Sequence, residues 1–133
     1  MRIFLISLLT VFIFSACNAR QGIRAELEKN TRAYNELLRW HEFNKAGLFA
    51  VEAISEEFRA RAGAAKDVRV VEYRILNVIL DEKKGEAAVE VEIDYYLLAS
   101  GSVKTVVDNQ KWSYVEEKGK RQWRLTSAFP EFR

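Results

Sequence analysis

Few side chains in this 133-residue chain have the type and setting for chemistry, and Asp108 is the first of them. It alternates with apolar residues in "VKTVVDNQKWSYV", a segment typical of a half-buried strand. An apolar wall raises the pKa of a carboxyl, which would suit Asp108 to act as an acid or base. Tyr34, Tyr73, Tyr95 and Tyr114 could polarise a carbonyl, and Tyr95 is our candidate partner for Asp108. The competing interpretation, which we favour, is that these tyrosines are core residues.

The single histidine and single cysteine argue against other kinds of site. His41 lies in a predicted turn without an obvious carboxylate partner, so a surface or capping role is favoured over catalysis. One His and one Cys do not supply a zinc site, and we expect no metal and no cofactor. The sequence has neither a phosphate-binding glycine loop nor a nucleophile elbow. The formal charge of +2 gives no electrostatic argument for nucleic acid.

The cysteine follows an N-terminal apolar run. Arg2 precedes uncharged residues 3–16, which are too few to span a membrane and are typical of a signal peptide. The run ends in "FSAC", which resembles the bacterial lipobox, with Phe14 where Leu is usual. The resemblance implies cleavage before Cys17 and acylation of its thiol. The alternative is ordinary cleavage after Ala19, which would release a soluble periplasmic protein.

These features divide the chain into a signal peptide (1–16), a lipid-anchored tether (17–22) and a folded domain (23–133). The five residues after Cys17 reach at most about 17 Å, so the domain would lie close to the bilayer. Asn18 stands where an Asp would resemble the inner-membrane retention signal. We therefore expect a periplasm-facing protein of the bacterial envelope, on the outer rather than the inner membrane.

The first part of the domain has helical periodicity. Apolar residues recur on one face between Ile23 and Leu38, which predicts an amphipathic helix. Asn44 is the predicted N-cap of a short second helix, and Ser55 that of a third. Phe58 would be the inward-facing anchor of the third helix.

After residue 67 the period changes to that of β-strands. Helices followed by strands indicate an α+β fold, with N-terminal helices packed on a strongly bent four-stranded antiparallel meander that forms a cone or half-barrel. The alternation changes phase at Ile75-Leu76, which predicts a bulge. The four predicted strands cover residues 68–80, 87–98, 103–115 and 121–129.

The register of the second hairpin has a consequence for Asp108. A turn centred on Ser100-Gly101 would place Lys111 opposite Glu90, Asp108 opposite Ile93 and Gln110 opposite Val91. Asp108 and Gln110 then lie on the apolar face, where an unpaired carboxylate is costly. Two interpretations stay open: a pocket or internal hydrogen bond satisfies Asp108, or a bulge or open rim turns it outward.

Three segments together resemble the nuclear transport factor 2-like superfamily: "LLRWHEFNKAGLFA", the meander with Trp112 and Trp123 on its last two strands, and the ending "FPEF". The resemblance covers roughly residues 22–132. It implies a cone whose open mouth is the pocket, in a superfamily that includes isomerases, dehydratases, binding modules and lipoproteins. The candidate pocket residues are Tyr34, Tyr73, Asp108, Gln110 and Trp112.

These observations favour a membrane-anchored, non-catalytic module that binds a small apolar ligand or an envelope protein. The alternative is a pocket enzyme of the isomerase or dehydratase type that uses Asp108 as acid or base. The outer sheet face is predicted to carry an acidic row, partnered by basic residues of the same face, and it is a candidate homodimer surface with Tyr96 and Leu98. The acidic row comprises Glu90, Glu92 and Asp94, and its expected partners are Lys104, Lys111 and Arg124.

Overall fold

The computed structural model describes residues 22–133. The expected leader (1–16), Cys17, the alternative cleavage site at Ala19 and all of the tether except residue 22 lie outside the described residues. In the described part of the chain, no helix is long and apolar enough to cross a membrane.

Three helices precede the strands. Helix α1 covers residues 22–39 and buries Leu27, Tyr34 and Leu38, as its apolar periodicity predicts. The others are the short α2 (Phe43–Ala46), a 3₁₀ turn (Gly47–Phe49) and α3 (Glu52–Ala64).

The predicted caps of α2 and α3 are wrong. Asn44 lies inside α2, which follows a left-handed residue, His41, at φ 58°. Helix α3 begins three residues before Ser55, although Phe58 is buried as expected. The start of α3 is fixed from outside the helix, because the Val51 N–H donates to the Leu125 carbonyl at 2.9 Å.

The strands form one antiparallel sheet in the order β1-β2-β3-β4, and the three helices pack against it. Helices packed on an antiparallel sheet confirm the predicted α+β class. The sheet curls without closing. Its concave face carries much of the core, including Trp112 and Trp123. The strand bounds are β1 (Val68–Asp81), β2 (Glu86–Leu97), β3 (Lys104–Glu117) and β4 (Lys120–Leu125).

Bulges in β1 contribute to the curl. The pairing with β2 shifts between Ile75 and Asn77, which confirms the bulge predicted from the phase change. A second shift between Val70 and Glu72 was not predicted. Each bulge adds a residue to one strand only and increases the local twist.

The predicted register of β2 and β3 is wrong by two residues. Asp108 pairs with Val91, and Lys111 pairs with Ala88 rather than Glu90. The chain reverses earlier than predicted, since the Gly101 N–H donates to the Leu97 carbonyl with Gly101 at φ 65°. A shift of two residues leaves every side chain on its predicted face.

The last strand is shorter than predicted. It ends at Leu125, and residues 126–133 leave the sheet as an extended C-terminal segment. Phe129 of this segment is buried, with its ring 5.1 Å from that of Phe43 and 5.2 Å from that of Phe58. The segment therefore leaves the sheet edge because its aromatic residue enters the core below the helices.

The acidic row on the outer face takes its cation from β1. Arg74 donates to Asp94 at 2.9 Å and to Glu92 at 2.6 Å, since residue 74 pairs directly with residue 92. None of the expected partners forms an ion pair with this row among residues 22–133: Lys104, Lys111 and Arg124. The predicted partners lie on β3 and β4, whereas the cation that binds the row is Arg74 of β1.

Candidate functional site

A cluster of polar side chains lies inside the apolar core where α1 crosses β3. Gln110 Nε2 donates to Asn35 Oδ1 at 2.8 Å and to Asp108 Oδ2 at 2.9 Å. Trp112 Nε1 donates to Gln110 Oε1 at 3.3 Å. Asn35 Nδ2 donates to the Thr31 carbonyl at 2.7 Å. We call Asn35, Asp108, Gln110 and Trp112 the internal polar cluster.

Local periodicity brings these residues together. Asp108, Gln110 and Trp112 are two residues apart on β3, so all three face the concave side. Thr31 and Asn35 are four residues apart on α1 and share one face of the helix. Reciprocal amide hydrogen bonds between Asn35 and Gln110 therefore tie the helix to the strand.

Asp108 is held in a setting unusual for a carboxylate. Its side chain faces inward and the residue is 9% exposed. Burial raises the pKa of Asp108 to about 6, and the hydrogen bond from Gln110 opposes this rise. The sequence left two interpretations open, and the structure agrees with the internal hydrogen bond. The pairing of β2 and β3 has no bulge at Asp108.

Tyr34 lies beside this cluster with an unpaired hydroxyl. Its ring packs edge-on against Trp112, Phe49 and Phe58 at centroid distances of 5.7, 6.2 and 6.3 Å. The residue has 0% exposure, and its hydroxyl has no hydrogen-bond partner among the described residues. Burial, and secondarily the charge of Asp108, raise the pKa of Tyr34 well above its usual value.

An open groove of about 490 Å³ adjoins the cluster. Consecutive residues 105–109 of β3 form one wall and residues 127–131 form the other. Because residues from both sides of β3 line it, the groove runs along the edge of the strand rather than over one face. Asp108 is the member of the internal polar cluster that reaches it.

The two walls of the groove are bonded to each other at both ends. At one end, the Lys111 carbonyl accepts from the Thr126 N–H at 2.8 Å, and the Lys111 N–H donates to Ser127 Oγ at 3.1 Å. At the other end, Lys104 Nζ donates to the Arg133 carbonyl at 3.0 Å. The C-terminal segment therefore runs beside β3 while standing away from it in the middle.

The other predicted site residues fall in three places. Tyr95 lines the groove, and its hydroxyl donates to the Arg133 carbonyl at 2.6 Å. Tyr73 lies apart on β1, where burial and the nearby Glu36 raise its pKa. Tyr114 stacks on Trp123 at 5.2 Å, away from the groove.

His41 is a packing residue in the structure. Its ring lies 4.4 Å from the ring of Phe43, and Nδ1 is 3.3 Å from a guanidinium nitrogen of Arg69. Partial burial and the charge of Arg69 lower the pKa of His41. His41 lies at the corner between α1 and α2 and does not line the groove.

Sequence reasoning missed Asn35 and Thr31. Two signals pointed to Asn35: it directly follows the buried Tyr34, and Gln110 required a polar partner on an otherwise apolar face. Among residues 22–133, no group of three His, Cys, Asp or Glu side chains is placed to hold a metal. No protein-family model matches the chain, and no curated protein matches it.

Proposed function

We propose that this protein is a lipid-anchored envelope lipoprotein whose nuclear transport factor 2-like domain is a non-catalytic binding module. The groove between residues 105–109 and 127–131 is its ligand site. The observation that carries the proposal is this groove of about 490 Å³, whose lining includes both apolar and polar residues, among them the buried Asp108. Its volume is within the range of ordinary ligand pockets.

Binding is favoured over catalysis by how the polar groups are used. Asp108 already accepts a hydrogen bond from Gln110, and the Tyr34 hydroxyl is sealed within aromatic rings. A carbonyl substrate in the groove would meet Asp108 without reaching the Tyr34 hydroxyl. The Tyr95 hydroxyl, which does line the groove, already donates to the Arg133 carbonyl and accepts from the Arg133 N–H. The groove therefore has a mixed lining of apolar and polar side chains whose candidate catalytic groups are already hydrogen-bonded within the protein, which favours binding.

Native mass spectrometry of the full chain, purified in mild detergent, tests the groove. We expect a retained ligand whose signal is lost in Ala128→Phe, which fills the groove, and kept in Ala88→Phe, which fills a hollow on the outer face. A ligand retained equally by wild type and both variants would place its site elsewhere and contradict the proposal.

Intact-mass measurement and membrane fractionation test the anchor. We expect a mature protein that begins at Cys17 with added acyl mass, and release from the membrane fraction in Cys17→Ser. Firm membrane binding requires two acyl chains, and Cys17→Ser lacks the thiol that would be acylated. The release should therefore be nearly complete. A mature protein that begins at Arg20 would instead establish cleavage after Ala19.

One observation favours a second function, acid-base catalysis by Asp108. A carboxyl with a pKa of about 6 exists in both protonation states near neutral pH, as a general acid or base requires. Incubating the retained ligand with protein in D₂O would reveal such chemistry as deuterium incorporation by wild type and none by Asp108→Asn. Equal incorporation by both proteins, or none by either, would exclude this role.

A further inference from the structure

The edge of β3 that borders the groove suggests what kind of ligand enters it. We propose that this edge binds an extended polypeptide segment of a partner protein as an added β-strand. The inference rests on the proposed function, because it names the ligand class of the same groove.

The hydrogen bonds of Lys111 show toward which edge of β3 the main-chain N–H and C=O groups point. Both main-chain groups of Lys111 bond toward the β4 side, to Thr126 and Ser127. Residues two apart on a strand direct their main-chain groups to the same edge. The main-chain N–H and C=O groups of Thr105, Val107 and Asn109 therefore also point toward that edge, which here faces the groove. Within residues 22–133, no backbone hydrogen bond reaches them from that side.

This row of donors and acceptors matches another extended chain. A free edge strand is a template for strand addition, and main-chain hydrogen bonds supply affinity in such complexes. Residues 105–109 pair with β2 in unbroken register, so no bulge turns this part of the edge away. A small apolar ligand would leave the row of main-chain groups unsatisfied.

The shape of the groove favours a single chain over a second folded copy. Residues 127–131 stand opposite the edge and are bonded to β3 at both ends of the gap. The free stretch between Thr105 and Asn109 is roughly 13 Å long, which accommodates about five residues of an extended peptide. A sheet edge of another copy would bring its neighbouring strands with it, on the side where residues 127–131 already stand.

The lining indicates what alternate side chains of the added strand would meet. Val106 and Phe129 provide apolar contacts on the inward side, and Asp108 can accept a hydrogen bond there. Val107, on the outward side, is 46% exposed and adds apolar surface beside the strand. We therefore expect a segment with apolar or β-branched residues and one inward donor.

A phage-displayed library of random linear peptides, selected on the full chain in detergent, supplies the probe. Fluorescence anisotropy then compares the best synthetic peptide on wild type, Val107→Pro and Val107→Ala. Proline removes the N–H that points into the groove and blocks strand addition, so we expect at least a tenfold loss of affinity, equivalent to about 1.4 kcal/mol. Alanine keeps the N–H, so its affinity should stay within about threefold of wild type.

A second probe leaves the protein unchanged and so remains valid if Val107→Pro fails to fold. N-methylation of one alternate set of peptide amides should abolish binding, and methylation of the other set should be tolerated. Enrichment of no peptide, equal binding by Val107→Pro, or indifference to N-methylation would each overturn the inference. So would a dimer of the chain that Val107→Pro dissociates, because that outcome gives the edge to a second copy.

The two proposals fail in different ways. A small ligand that is lost in Ala128→Phe while no peptide is enriched would sustain the binding groove and overturn strand addition. Peptide binding that depends on Val107 but survives Ala128→Phe would sustain the edge and contradict the groove as the ligand site.

Discussion

Among residues 22–133, Asp108 has one hydrogen-bond donor, Gln110, and an apolar setting that disfavours its charge. The folded protein therefore binds the Asp108 proton more tightly than the unfolded chain does, because the pKa of Asp108 rises from 3.8 to about 6. This contribution to stability is unfavourable above pH 6, decreases as pH falls, and vanishes below about pH 4.

Asp108→Asn removes the buried charge and keeps an acceptor for Gln110. We expect the variant to be more stable than wild type by about 2 kcal/mol at pH 8, with the difference lost near pH 4. Urea unfolding at both pH values measures this. A variant that is less stable at pH 8 would show that the carboxylate has a favourable partner in the folded state.

Tyr34 presents the opposite case, a neutral hydroxyl without a hydrogen-bond partner among residues 22–133. Since a buried unsatisfied hydroxyl costs about 1–3 kcal/mol, Tyr34→Phe should preserve or raise the free energy of unfolding. Denaturant unfolding and the retained aromatic packing, seen by near-ultraviolet circular dichroism, would check it. A loss above about 1 kcal/mol would reveal a bonded water or ligand on that hydroxyl.

At the scale of elements, α1 and β3 are joined by polar as well as apolar contacts. The Asn35 and Gln110 amides bond each other, and Asn35 Nδ2 also donates to the Thr31 main-chain carbonyl, all within the buried core. Such a connection fixes how the helix sits on the strand, because a displaced helix would leave several buried polar groups unpaired.

A double-mutant cycle of Asn35→Ala and Gln110→Ala tests this connection. Each single variant should lose about 1–3 kcal/mol, and the double variant should lose less than their sum by about 0.5–3 kcal/mol. Chemical denaturation of the four proteins gives the coupling. The matched pair Glu36→Ala and Gln110→Ala should be additive, since Glu36 bonds Trp40 at the surface.

The same elements mark how far the sequence predicts the structure. Period and alternation predicted a helix from Ile23 to Leu38, four strands and the bulge at Ile75-Leu76, and the structure has all of them. They placed Asp108 on the apolar face but left open whether a bulge turns it outward. The register was off by two residues because the left-handed Gly101 closes the turn early. Asn35 was missed because its role depends on a contact 75 positions away, which local spacing does not encode.

For the whole molecule, the C-terminal segment joins the helical layer to the open edge of the sheet. Phe129 contacts the rings of Phe43 and Phe58, and Phe132 lies 4.9 Å from the ring of Tyr95. The packing of these aromatic residues therefore holds the outer wall of the groove in place together with the hydrogen bonds at its two ends.

Phe129→Ala should lower the free energy of unfolding by about 3–5 kcal/mol, because it leaves a cavity in the core. Leu98→Ala, at a residue 52% exposed, is the control and should change it by less than about 0.5 kcal/mol. Thermal and urea unfolding provide the comparison. A small effect of Phe129→Ala would mean that the segment contributes little to holding the fold together.

The hydrogen bond between Trp123 and Ile23 places the start of α1 relative to the groove. Trp123 Nε1 donates to the Ile23 carbonyl at 3.0 Å, and Trp123 pairs with Tyr114, so the start of α1 lies beside this part of the sheet. Val107 is seven residues farther along β3, roughly 23 Å away. If Cys17 carries lipid as proposed and the start of α1 lies against the bilayer, a partner held in the same bilayer would extend about seven residues along β3 to reach Val107.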